Sequence, residues 1–231
     1  MPDNSLVISY MTLRKMVGYL GILLPVLVVA GGELMPARDV RDSISAYYYS
    51  NMRDLFVGLL CMVGVFLYSY KGYDWIDDLL TSLSGLLALG VALFPTRSGE
   101  TVPFAVGIFQ LNDFVSSFVH YTCAALLFVL LASISTFLFT RTADPRTMTK
   151  QKKARNHVYR VCGGIMFAAL LLGGVFSLPM LEHAAPPHLL LVVETICLWA
   201  FGISWLVKGQ AILSDEVEAG LESSPGGAAL T

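Results

Sequence analysis

Six long runs of continuous apolar residues dominate this chain and leave few folds open to it. They lie near 16–32, 55–70, 77–95, 116–140, 159–178 and 188–207. A helix needs about 20 mostly apolar residues, at about 1.5 Å each, to cross the hydrocarbon core of a bilayer. The runs are apolar all round rather than along one stripe, which suits helices facing lipid or the middle of a bundle. Open strands are excluded, because lipid offers no partner to an unpaired ladder edge. Composition agrees: 55% of the 231 residues are hydrophobic and 14% charged, where a soluble domain carries about a quarter charged residues. The expectation is an all-α polytopic membrane helix bundle with six transmembrane helices over 1–213. A disordered tail should follow at 214–231, acidic and rich in Gly and Ser.

The first run resembles a secretory signal, since Arg14 and Lys15 precede it and Val28-Val29-Ala30 closes it. Its length exceeds that of a signal core and Pro25 interrupts it, so it reads as a retained helix. Orientation follows from Lys and Arg. Of fifteen, only Arg38, Arg41, Arg53 and Arg97 fall on one side of the spans. The other eleven share the opposite side, which the positive-inside rule makes cytoplasmic. Both termini are then cytoplasmic, and the chain is a multi-pass protein of the cell membrane, the inner membrane in a bacterium. The loop 141–157 carries six of the basic residues. It fixes topology, with attraction to anionic head groups as a second role. A net charge of −2 gives no reason to expect nucleic acid as a partner. Cys61, Cys123, Cys162 and Cys197 all lie in apolar runs and form no C-x-x-C pair, so they read as small buried hydrophobes.

Charge at membrane depth is costly and therefore informative. Glu194 lies six residues after His188, about 9 Å inside the last span. Nothing three or four residues away on its own helix can neutralise it. Its partner is expected on another span, and His120, one turn inside the fourth, is the candidate. Arg53, Asp54 and Asp113 sit at helix ends on the same outer side. Together Arg53, Asp54, His120 and Glu194 would form a polar pocket open to the outer leaflet, or a pair that only ties helices together.

The loop LEHAAPPHL places His183 and His188 five residues apart. With His120 they could supply three zinc ligands, and a bound zinc could activate water against an ester or amide. No H-E-x-x-H or similar helix-borne pair supports this. In SISAYYYSNMRD (43–54), three tyrosines suit the head-group region. Ser43, Ser45 and Ser50 could bind a head group, but no G-x-S-x-G elbow marks a nucleophile. Asp74, Asp77 and Asp78 read as a solvated turn on the inner side. Gly85 in the third span, and Gly164, Ala168, Ala169 and Gly173 in the fifth, read as close-packing positions between helices.

The outer segment Ile44-Ser45-Ala46-Tyr47, Phe56 and His120 resemble the pattern of the six-span Frag1/DRAM/Sfk1 group and related bacterial integral membrane families, over roughly residues 13–140. The resemblance implies a role in lipid remodelling, sorting or signalling, and it carries over no catalytic residue. Glu194 and the run at 201–209 lie beyond it.

Three functions remain open on the residues. The first is a lipid-associated, non-enzymatic protein with membrane lipids as partners and no cofactor. The second is a zinc-dependent lipid amidase or esterase using His120, His183 and His188. The third is a proton-coupled transporter carrying its proton on Glu194, although no inverted repeat is visible. A homo-oligomer is compatible with each.

Overall fold

A computed structural model describes residues 4–34, 40–72, 74–98, 107–142, 148–178 and 180–213. The tail expected at 214–231 lies outside the described residues, as do Arg38 and Arg146. Among the described residues there are six α-helices: α1 (Asn4–Glu33), α2 (Arg53–Ser69), α3 (Trp75–Leu93), α4 (Asp113–Ser133), α5 (Lys150–Phe176) and α6 (Leu189–Lys208). A wider, π-type turn over Ile134–Leu138 prolongs α4. Short 3-10 turns sit at Ser45–Tyr49 and Glu182–Ala184. No strand occurs among the described residues.

Five of the six helices are long and apolar enough to cross a membrane. The exception is α2, whose 17 residues span about 26 Å. The second run continues in sequence to Tyr70, but there the backbone turns extended. Large side chains such as Tyr19, Leu86, Phe118, Phe137, Leu171 and Val192 point outward. So broad an apolar exterior would be untenable in water and is what lipid requires.

The helices form a ring in chain order, each packing on its neighbours, and α6 closes the ring on α1. Glycines set the closest crossings. A Cβ on Gly202 would meet the Gly18 carbonyl at 2.7 Å, and one on Gly18 would meet the Gly202 carbonyl at 2.9 Å. Gly64 and Gly85 play the same part between α2 and α3. Of the pairs expected in α5, Ala169 and Gly173 are buried, with Gly173 against Val193 of α6. Gly164 and Ala168 instead face outward, with nothing within 4 Å of Gly164.

Caps start three helices. The side chains of Asp74, Asn112 and Thr149 accept from the Asp77, Val115 and Lys152 N–H groups at 3.0, 2.9 and 3.1 Å, satisfying donors that the first turn leaves open. Inside α1, Pro25 offers no N–H to the preceding turn. The Trp199 indole of α6 donates to the Ile22 carbonyl of that turn at 3.3 Å.

The ring has two unlike ends. One carries the 3-10 turn with Tyr47, Tyr48 and Tyr49, the 94–98 segment and the start of α6; it is called the tyrosine end. The other carries Arg14, the start of α3, the start of α5 and Lys208; it is called the basic end. At the basic end Tyr10, Tyr70, Trp205 and Phe139 pack in sequence with centroids 5.0–5.4 Å apart, the first pair stacked and the other two edge to face. The Arg14 guanidinium lies 4.6 Å over Tyr10 and the Lys208 ammonium 4.9 Å over Phe139, each a favourable cation–π placement. The three aspartates here are not a simple solvated turn. Asp77 is buried, and Arg141 bridges it to Asp74 at 3.3 and 2.7 Å.

Candidate functional site at the tyrosine end

Glu194 lies in the second turn of α6 and faces the interior of the ring. Its carboxylate accepts the Ile44 N–H at 2.5 Å, the Ser45 N–H at 3.3 Å and the Ser45 hydroxyl at 3.3 Å. These are the groups that open the 3-10 turn, and a carboxylate suits them because first-turn N–H groups lack partners within their own helix. The connection is reciprocal. The Asp42 carbonyl accepts the Leu191 N–H of α6 at 2.9 Å, and the Asp42 carboxylate lies 3.2 Å from His188 Nδ1. The segment 42–45 and the start of α6 thus supply each other's missing partners. His188 itself takes a left-handed backbone, φ 56°, which turns the chain into α6.

The contacts shown for Glu194 therefore run to Ile44 and Ser45 rather than to His120. His120 is buried, and its Nδ1 lies 2.7 Å from the Phe94 carbonyl. Since a carbonyl can only accept, that nitrogen carries the proton. His120 belongs to a set of α4 side chains that satisfy the chain as it leaves α3. The Ser116 hydroxyl donates to the Pro95 carbonyl at 2.9 Å, and Asp113 accepts the Ser98 N–H at 3.0 Å. The Tyr49 hydroxyl donates to the Thr96 carbonyl at 2.8 Å. Burial, reinforced by Asp113, pushes the Tyr49 phenol up to about 12, so it stays a donor across the physiological range.

Arg53 and Asp54 lie exposed in the first turn of α2. The Arg53 guanidinium covers the Tyr48 ring at 4.4 Å and donates to the Tyr48 hydroxyl at 2.7 Å. Hence Arg53, Asp54, His120 and Glu194 share one end of the bundle, but they do not line one pocket. The tyrosines also differ from free interfacial anchors. Tyr47 and Tyr48 are buried, Tyr47 against Gly32, because the 3-10 turn folds them down onto the bundle. Ser43 and Ser50 serve their own turn, accepting the Ala46 and Met52 N–H groups.

A cavity of about 40 Å³ lies inside the ring. Its walls are apolar, formed by Leu24, Phe56, Leu60, Val63, Leu127 and Leu131 among others, and its polar lining comes from Glu194 and Ser45. Such a space fits apolar groups rather than water. No sequence signal marked it, because its walls come from five helices and the 42–45 segment.

His183 is exposed in the turn at 182–184. Among the described residues, no three His, Cys, Asp or Glu side chains gather in a way that could hold a metal ion. Buried His120 faces a carbonyl and His188 faces Asp42, so the three histidines considered as zinc ligands do not converge. All four cysteines are free thiols, with Cys162 and Cys197 buried and Cys61 and Cys123 partly so. In comparisons with protein-family models, curated proteins and solved structures, the chain finds no significant match in any.

Proposed function

We propose that the protein is a six-span, lipid-associated membrane protein that receives an amphiphile at its tyrosine end. The apolar part of the ligand enters the cavity inside the ring, and its polar part meets Glu194 and Ser45. The cavity carries this reading: an apolar space with a carboxylate and a hydroxyl at one end matches an amphiphile's own division. Ile44, Ser45 and Phe56, three of the residues behind the likeness to the Frag1/DRAM/Sfk1 group, belong to its lining. α4 meets α6 only lightly across the ring, so a small outward shift of α4 would widen the space.

In this reading α2 is the sixth span, at the short end of the lengths a bilayer accepts. The basic end then faces the cytoplasm, by the excess of Lys and Arg there, and the tyrosine end faces the outer leaflet. In the same reading Arg53 and Asp54, exposed in the first turn of α2, meet the head group, and Glu194 sets orientation deeper in.

Photocrosslinking in nanodiscs tests this, using a phospholipid with a diazirine in its acyl chain. Label should concentrate on peptides bearing Leu60, Leu127 and Leu131. It should fall when Leu127→Trp fills the cavity. Label spread evenly over outward residues such as Leu86 and Leu171, and unchanged by Leu127→Trp, would overturn the reading.

A further inference from the structure

The hydrogen bonds shown at the polar end of the cavity inside the ring run in one direction. The Ile44 N–H and the Ser45 N–H donate to Glu194 Oε2, and the Ser45 hydroxyl donates to Glu194 Oε1. The two oxygens of a carboxylate offer about four acceptor sites between them, so one stays open, on Oε1. The Ser45 oxygen also keeps its acceptor capacity after giving its proton to Glu194. Donors are what this end lacks, since the three just named are spent on the carboxylate. Among the described residues, every other side chain in the lining is apolar, and no Lys, Arg or His belongs to it.

The direction of those bonds decides what such an end can hold. A sulfate, phosphate or carboxylate head brings acceptors and a second negative charge, and apolar walls screen its repulsion from Glu194 poorly. An ether or ester brings acceptors without charge, and each would be left unpaired where water is excluded, at a cost in free energy. A hydroxyl or an amine brings the missing donor. Its hydrogen bond to a carboxylate is of the charge-assisted kind, shorter and about twice as strong as one between neutral groups.

We propose, resting on the reading that this cavity receives an amphiphile, that it selects one whose polar end is a hydrogen-bond donor without negative charge: a long-chain alcohol or amine. The head donates to the open site on Glu194 Oε1 and to the Ser45 hydroxyl oxygen beside it. The chain lies among Leu60, Leu127 and Leu131 of the wall. Glu194 is then the residue that sets specificity, admitting donors and turning anions away.

Competition in phosphatidylcholine nanodiscs holding the full chain tests this, with the diazirine phospholipid as reporter and four competitors of equal chain length. They are hexadecanol, hexadecylamine, hexadecyl sulfate and hexadecyl methyl ether. The better of the alcohol and the amine should displace label from peptides bearing Leu60, Leu127 and Leu131 at about a tenth, or less, of the concentration that the sulfate and the ether need. Which of the two is better tells a hydroxyl head from an ammonium head. In Glu194→Gln the amide oxygen is held by the Ile44 and Ser45 N–H groups, so the amide NH2 replaces Oε1 and a donor faces the ligand. That variant should narrow the margin over the sulfate about fivefold or more. A margin under about tenfold in the parent would overturn the proposal, with no variant needed, and so would a lesser narrowing in Glu194→Gln. Those results leave the amphiphile reading standing, provided that Leu127→Trp still removes the label. Label absent from these peptides, or untouched by Leu127→Trp, would overturn that reading and this selectivity with it.

Discussion

The Glu194 carboxylate receives the backbone N–H of Ile44 at 2.5 Å, so a side chain of the last helix caps a turn 150 residues earlier in the chain. Glu194→Ala should leave the opening N–H groups of that turn unsatisfied and cost about 2–4 kcal/mol. Glu194→Gln keeps one accepting oxygen and should cost about half as much. Amide hydrogen exchange at Ile44 and Ser45 separates this from general loosening. Their protection should collapse in Glu194→Ala while that of mid-helix amides in α3 changes little. Unaltered protection at Ile44 would mean that the carboxylate is not the cap.

The glycines of α5 and α6 make an internal contrast. A methyl group at Gly202 would sit 2.7 Å from the Gly18 carbonyl and 2.6 Å from Ile22 Cγ1, so α1 and α6 would have to separate. Gly202→Ala should destabilise by about 1–3 kcal/mol. Gly164 meets nothing within 4 Å, and Gly164→Ala should be neutral or stabilise by up to about 1 kcal/mol through helix propensity. Thermal unfolding in detergent should rank the two variants in that order.

His120→Ala should strip the Phe94 carbonyl of its donor and leave a void beside α3, at a cost of about 2–4 kcal/mol. Metal content should be the same in this variant as in the parent, with neither holding zinc in proportion to chain. About one zinc per chain in the parent, lost in His120→Ala, would revive a zinc hydrolase.

Acid should act on the start of α3 at the basic end. The Asp77 N–H, then Arg141 and the Ile76 N–H, hold the Asp74 carboxyl below its ordinary value of 3.8. A depressed carboxyl stabilises the fold above its unfolded value, and that contribution fades as pH falls through the lower, folded value. Asp74→Asn keeps a cap acceptor but loses the ion pair with Arg141. Its deficit in melting temperature against the parent should be present at about pH 7 and should shrink towards about pH 3. A deficit independent of pH would show that the carboxylate's charge does not matter there.

Much of the helical frame is readable in the sequence, because continuous apolarity needs no knowledge of neighbours. The ends are less so: the run through Tyr70 gives no sign that the helix stops at Ser69. Glu194 stands out as an acid in an apolar run, but its partners are backbone N–H groups of Ile44 and Ser45, and an amide carries no residue-specific signature. His120 is equally visible and serves the Phe94 carbonyl for the same reason. Arg14, Lys152, Arg155 and Lys208, which line one cavity at the basic end, count in the sequence only as charges on one side of the spans. Their convergence depends on how α1, α5 and α6 pack, which spacing along the chain does not encode.

The closure of the ring by α6 on α1 has a consequence for the order of assembly. At about 5–20 residues per second, α6 leaves the ribosome some ten seconds or more after α1. Through that interval the Gly18–Gly21 face of α1 and the opening N–H groups of the 3-10 turn await surfaces that only α6 provides. Of the six helices α1 is made before the others and is among the last to be seated, so a nascent chain stalled after α5 should be the form most open to membrane chaperones and proteases.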